Sequence, residues 1–473
     1  MEATDATEKS LYTNPKVMVL AVNAMLIMLG FGIVAPSMAF YLIALEGGLT
    51  QPPGPGYMVP AEVVAQFSVI LGMMMAVFMG TRTLLARYWG GVSDRHGRKV
   101  LIVIGLVGYV VLLALFGLAQ NWIELLLIRA FQGVVSAMVW PVSEAALMDM
   151  VGVERRAEGL GLYMMVSNVG FIAGPGVGGA LYNFCRDVLL LPVPDVFRVP
   201  YFIAALIVVP SVIATMAVLE ETAPGRGNTA ARKEQSVVRE GPSSTGNPTP
   251  RTEDKMSPKT RRMVHVLYVM AITNGIAMGM GQPLFQLFLM SKITTDIGII
   301  GLITSGAGAV GMLFTIPAGR YSDSHGRKGI AVGGAVLARS GLFILPLTRS
   351  ISETAVVWVT QSAAMSASQP AMRAIQADIV PWSLRGKLFG TIQAFFNAGA
   401  TLGPLVGGWL YSVFSLMVFQ VGLLMIEGLV VPFWISAGIG IFGAMLLWVY
   451  VEETLPPHVV TVEKAAEGVE DFT

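Results

Sequence analysis

Arg129, Gln132 and Ser136 fall three and four residues apart in the stretch "RAFQGVVSAMVWP", and Glu144 and Asp149 follow in the same apolar run. At that spacing the first three side chains share one face of a helix. A cation there can attract an anion or set the field around a proton carrier, and a carboxylate can take up and release a proton. This is chemistry of charge movement. The sequence has no glycine-rich nucleotide loop and no metal-spaced group of His or Cys, so ATPase and redox activity are not expected, nor any cofactor or metal. A second set of charges occurs twice: "GGVSDRHGRK" at 90–99 and "GRYSDSHGRK" at 319–328, offset by 229 (319 − 90).

The elements around these residues are apolar. Of 473 residues 54% are hydrophobic and 13% charged, with mean hydropathy +0.67, whereas a soluble chain carries about a quarter charged residues. Runs of about 20 apolar residues cross a bilayer as helices. Twelve such runs are present, at 17–43, 64–86, 98–119, 122–148, 158–184, 199–219, 263–290, 298–320, 329–348, 354–378, 387–414 and 431–451. The polar N-terminus lacks the basic region and short apolar core of a cleaved signal peptide, so the first run is expected to be a retained span. Loops at 86–99, 154–156, 220–262, 320–328 and 385–387 hold most of the Lys and Arg. The outer loops hold Arg186, Arg198, Lys292 and Arg349. The positive-inside rule therefore puts both termini and the basic loops in the cytoplasm. The net charge of +1 gives no field for nucleic acid, and the single Cys185 cannot form an internal disulfide.

The 229-residue offset persists far beyond the decapeptides. It aligns Gln132 with Gln361, Pro141 with Pro370, Asp149 with Asp378, Asn168 with Asn397, and Gly174-Pro175 with Gly403-Pro404. After a three-residue insertion, "VPYFIA" at 199 meets "VPFWIS" at 431, and "LEET" at 219 echoes "VEET" at 451. The chain is a duplicated six-span unit. It divides into a cytoplasmic tail (1–16), a first half (17–219), a Pro/Gly/Ser-rich linker expected to be disordered (220–262), a second half (263–452) and a second tail (453–473). The repeat leaves the apolar segment 415–430 as an outer interfacial piece. The expected fold is all-α: twelve transmembrane helices in two six-helix halves related by a pseudo-two-fold axis, with the substrate site between them.

In the decapeptides, Gly90 and Gly97, like Gly319 and Gly326, are expected to permit a close turn. Arg98, Lys99, Arg327 and Lys328 would anchor it at the headgroups. Asp94 and Asp323 are expected to latch onto the positive N-termini of the eleventh and fifth helices. Gly170, Gly174 and Gly178 bare one face of the fifth helix, and Pro175 bends it. Gly399, Gly403, Gly407 and Pro404 repeat the arrangement in the eleventh, which also fits plain packing. Arg129 lies roughly 10 Å into its span. A charge that deep costs about 3 kcal/mol and should face the protein interior or a wet cavity. Arg339 is a second buried cation, without an evident partner. The offset also lays Glu144 on Arg373, which suggests an inner gate of opposite charges.

These motifs resemble those of the major facilitator superfamily. The 90–99 loop is similar to its loop motif and 129–141 to its fourth-helix motif, with Arg129 on the motif arginine. "GFIAGPGVGGALY" at 170–182 and "LGFGIVAPSMAFY" at 29–41 look like the twelve-span drug:proton antiporter branch, which includes tetracycline and multidrug exporters. The resemblance covers essentially all twelve helices. It implies alternating access, proton coupling in which Arg129 takes part, and control of antiport by the fifth-helix glycine face. Coupling would involve Arg129, Glu144 and Asp149, and the gate and latches Asp94, Arg98, Asp323, Arg327, Arg373 and Asp378. The substrate site would be lined by Asn23, Gln132, Ser136, Trp140, Asn168, Asn274, Gln282, Gln361 and Asn397. No carboxylate lies mid-span: Asn23 is the polar residue of the first helix, and Asn274, Gln282 and Gln286 of the seventh are neutral.

The reading is a monomeric plasma-membrane transporter that exports small amphipathic compounds against a proton gradient, its partners being substrate, protons and lipid. An importer or facilitator on the same fold is the first alternative. A non-transporting sensor or scaffold is the second.

Overall fold

A computed structural model describes residues 11–151, 155–222, 256–380, 382–421 and 424–454. Most of the linker and most of both tails lie outside them. Its contacts divide the chain into two compact units: Met1–Glu46, Thr50–Pro52 and Gly80–Asn247 form the first, and Gly47–Leu49, Pro53–Met79 and Pro248–Thr473 the second.

The first unit is built from α1 (Pro15–Val34), α2 (Met38–Leu45), the later part of α3 (Ala61–His96), α4 (Arg98–Leu118), α5 (Trp122–Met150), α6 (Arg156–Asp187) and α7 (Asp195–Val218). The first span is broken between α1 and α2, where Pro36 withholds a backbone donor. α1 packs most extensively on α6, and α4 on α7 and α5.

The second unit holds the outer part of α3 together with α8 (Pro258–Phe288), α9 (Ile297–His325), α10 (Arg327–Ile344), α11 (Ile351–Asp378), α12 (Trp382–Phe414) and α13 (Val430–Tyr450). α8 packs on α12 and α13, and α11 on α9 and α10. The outer part of α3 joins this unit through α12: the Ser68 hydroxyl donates to the Gly408 carbonyl at 3.0 Å. Ten of the described helices are long and apolar enough to cross a bilayer. α11 and α12, with 28 and 33 residues, are also long enough but carry more Ser, Thr, Gln and Gly.

The duplication reaches the helix caps. Asn121 accepts from the Glu124 backbone N–H at 3.0 Å while Glu124 accepts from the Gln120 N–H at 2.9 Å. One offset later, Ser350 accepts from Glu353 at 3.2 Å and Glu353 from Arg349 at 2.8 Å. Each reciprocal pair satisfies donors the first turn leaves free, and losing its cap costs about 1 kcal/mol.

One expectation needs correction. The decapeptides are not turns throughout, since Gly90 and Gly319 lie inside α3 and α9. The turn is made at Gly97 and Gly326, whose φ angles of 107° and 110° only glycine adopts without strain. The all-α fold carries one small addition. In 415–430, β1 (Val418–Val421) pairs antiparallel with β2 (Leu424–Glu427), with Val418 opposite Glu427. Val418, Phe419, Val421 and Ile426 suit strands, and the Gly428 N–H closes the hairpin on the Met417 carbonyl at 2.7 Å. Lys292 holds Glu427 at 2.7 Å.

Candidate functional site

α5 places Arg129 within the first unit, 1% exposed, which rules out snorkelling to the headgroups. Its guanidinium donates to Gln132 Oε1 at 2.7 Å and to Met38 Sδ at 2.6 Å. The Phe31 and Phe116 rings lie 5.5 and 5.3 Å from its carbon. Aromatic faces and an amide oxygen stabilise a cation away from water. Ser136, one turn on, is also buried. Trp140 meets Tyr163 edge-on at 6.0 Å, and Glu144 follows, half-buried.

At the end of the same unit, Arg98 is a hub. Its side chain is 8% exposed and reaches Asp149 at 3.0 Å and Asp94, 61% exposed, at 3.5 Å. Its backbone N–H, at the free N-terminus of α4, donates to Glu221 at 2.7 Å. The second unit repeats this: Arg327 pairs with Asp378, and with Asp323 at 3.1 Å. The Arg327 and Lys328 N–H groups donate to Glu453 at 3.0 and 2.9 Å. The recurring "EET" thus supplies a carboxylate to the positive end of a helix in its own unit. On each arginine the less exposed partner, Asp149 or Asp378, holds more firmly than the exposed Asp94 or Asp323, whose attraction water screens.

The expected substrate-lining residues are scattered among different surroundings. Asn23 donates to Thr215 Oγ1 at 2.6 Å inside the first unit. Asn274 accepts from Arg339 at 2.6 Å inside the second, which gives that cation its partner. Gly440 is bare beside it, since a Cβ there would lie 2.5 Å from Arg339 Nε. Asn397 accepts from Gln393 at 2.9 Å, Gln361 is half-buried against Gly341, and Asn168, Gln282 and Arg373 are exposed.

The glycine faces are backbone contacts. A Cβ on Gly174 would lie 2.6 Å from Gly32 Cα, and one on Gly178 2.7 Å from Ile33 Cα, both in α1. In the second unit a Cβ on Gly403 would lie 3.0 Å from Gly279 Cα in α8, and one on Gly279 2.9 Å from Pro404 Cδ. Among the described residues no cluster of His, Cys, Asp or Glu could hold a metal.

The sequence profile described as Major Facilitator Superfamily matches residues 20–264 and 267–471. The chain belongs to the major facilitator superfamily. Among its relatives, Multidrug resistance protein MdtG of Citrobacter koseri is 24% identical over 380 residues, 80% of this chain and 84% of the relative. Multidrug resistance protein 1 of Bacillus subtilis is 24% identical over 344 residues, 72% and 81%. Among solved structures, a bacterial homologue of the human lysosomal transporter Spinster, inward-facing and occupied, superposes with a TM-score of 0.65 at 16% identity, covering 93% of this chain and 97% of that one. The xylose transporter XylE of E. coli, inward open, gives 0.63 at 15% identity, covering 94% and 98%. The major facilitator fold of two halves is thereby shared. Sequence reasoning missed Tyr163, Met38, Glu221 and Glu453. Of these only the two glutamates had a signal, the echoed "EET".

Proposed function

We propose that this superfamily member exports small amphipathic compounds across the plasma membrane in exchange for protons, acting as a monomer with both termini in the cytoplasm. Relatives named for multidrug resistance match it along four-fifths of its length, and that observation carries the reading. The interior agrees with it. The polar groups singled out inside the spans are mainly amides and hydroxyls, which suits uncharged or weakly cationic lipophiles better than phosphorylated sugars. The charge of Arg129 would disfavour a cationic substrate beside it and favour the ionised form of a nearby carboxylate. Asp94 and Asp323 would act as latches and Glu144, only while ionised, would form an inner gate with Arg373, readings that rest on the repeat.

Cells expressing the chain should lose ethidium faster than controls, resist a panel of lipophilic drugs, and lose that resistance when the proton gradient is collapsed. Faster accumulation of the same probes would favour the importer, and no change in any flux would leave the non-transporting alternative.

A further inference from the structure

Proton exchange needs a carboxylate that can be both charged and neutral, and the sequence shows none at mid-span. The described acids narrow the choice. Asp149, Asp378, Asp94 and Asp323 are tied to arginines. Glu124, Asp296 and Glu353 are helix caps. Glu46 accepts from the Trp122 N–H, and Glu427 is paired with Lys292. Asp187, Asp195, Glu158, Glu220 and Glu452 are paired near helix ends, and Glu221 and Glu453 cap α4 and α10. Among the described residues this leaves Glu62, exposed in the first turn of α3, and Glu144.

Glu144 is half-buried, six residues before the end of α5, roughly 9 Å along the axis. The elements around it supply few charges. From α3 the Arg82 guanidinium acts on it across space, and the same cation acts on the Tyr109 hydroxyl of α4 and the Tyr163 hydroxyl of α6. Both tyrosines are buried. Tyr109 sits beside Ser136 and Trp140, and Tyr163 beside Ser143. Lower on the unit, Arg98 is taken by Asp149, and Arg156 donates to the Met148 carbonyl at 3.2 Å. α1 and α2 carry no acid. A carboxylate in direct contact with an arginine is held ionised; one that faces a cation only at a distance, among hydroxyls that can donate or accept, can hold either state.

We propose that Glu144 is the proton-binding site of the first unit, with Arg82 as its fixed counter-charge and the Tyr163 hydroxyl beside it. This deepens the proton-exchange reading and rests on it. Uptake adds one proton to a carboxylate oxygen and leaves Arg82 uncompensated. Release restores the attraction across the α3–α5–α6 cluster, so the proton changes the forces between these helices. α3 and α5 are hydrogen-bonded fourteen residues earlier on α5, where the Thr81 hydroxyl donates to the Ala130 carbonyl at 3.1 Å.

Infrared difference spectroscopy of the purified full-length chain tests this without transport. Above about pH 5.5, where exposed carboxylates are already ionised, the wild type should show a protonated-carboxyl C=O band that titrates. Glu144→Gln should lack that band, and Glu144→Asp should restore it at a shifted frequency. Arg82→Gln should displace its midpoint, and Arg82→Lys, which keeps the charge, should leave it nearly in place. A band unchanged in folded Glu144→Gln, or no titrating band in the wild type, overturns the proposal. In reconstituted vesicles with ethidium as probe, Glu144→Gln should also lose uptake driven by a pH step, and retained uptake overturns the proposal as well. If the wild type ignores the pH step, the export reading fails instead, and the infrared result still decides whether Glu144 binds the proton.

Discussion

Alanine at Gly178 would put a methyl carbon 2.7 Å from the Cα and carbonyl carbon of Ile33. Ordinary carbon–carbon contacts begin near 3.5 Å, so the shortfall is close to 1 Å against main chain, which no rotamer change relieves. α1 and α6 must part, at about 1–3 kcal/mol for overpacking of this kind. Gly161 is the control on the same helix: a Cβ there meets nothing within 4 Å, so alanine adds only its helix preference of about 1 kcal/mol. That preference is common to both changes, so the difference between the two variants isolates the steric cost. At about 2–4 °C per kcal/mol, Gly178→Ala should unfold roughly 5 °C below Gly161→Ala. The chain supplies its own reporter. Its single cysteine, Cys185, is buried on α6, so a fluorogenic maleimide gains access as this unit opens on heating. Equal midpoints, or Gly178→Ala the more stable, would refute the reading of this glycine face as a backbone contact.

Arg129→Lys should keep part of gradient-driven ethidium export and Arg129→Gln should abolish it, as measured in vesicles, since charge rather than bulk is retained only in the first. Asp149→Asn should lower the thermal midpoint more than Asp94→Asn, because Asp149 is 20% exposed and 3.0 Å from Arg98 whereas Asp94 is 61% exposed and 3.5 Å from it. Asp94→Asn should instead raise cytoplasmic reactivity of cysteines introduced along α5, read by labelling rate, as a released latch requires. Asn274→Ala should destabilise the second unit by about 3 kcal/mol, because it strands the Arg339 charge; Asn274→Asp, which supplies an anion, should not, and tryptophan fluorescence on heating compares the two.

The duplication was legible in the sequence because its register is rigid: the offset that pairs Gln132 with Gln361 also pairs the caps at Asn121 and Ser350. The depth of Arg129 was legible from its distance to the end of its span. Partners were not. Arg82 reads in sequence as one more basic residue before a cytoplasmic loop, and nothing in 81–83 announces that its charge acts on Glu144, sixty-two residues on (144 − 82). Asn23 and Asn274 look like cavity polar groups, yet their bonds run to helices 192 and 65 residues away. Such pairings depend on helix rotation, which a pattern of small and apolar residues leaves open. The hairpin at 418–427 escaped because an apolar run of that length satisfies helix and strand alike.

The carboxylates of Glu221 and Glu453 have a bearing on how such a chain can be cut and joined. Each half finishes with its own fastening: the last residues after α7 return to the start of α4, and those after α13 to the start of α10. The backbone donors that Glu221 and Glu453 accept from belong to the same half as the glutamate. A break introduced between 223 and 255 therefore leaves both closures in place, and two separately translated fragments would each carry a complete terminus. Fission into a pair of genes, or fusion of a pair into one, would leave these two closures intact, whereas trimming the first half short of Glu221 removes the group that finishes it.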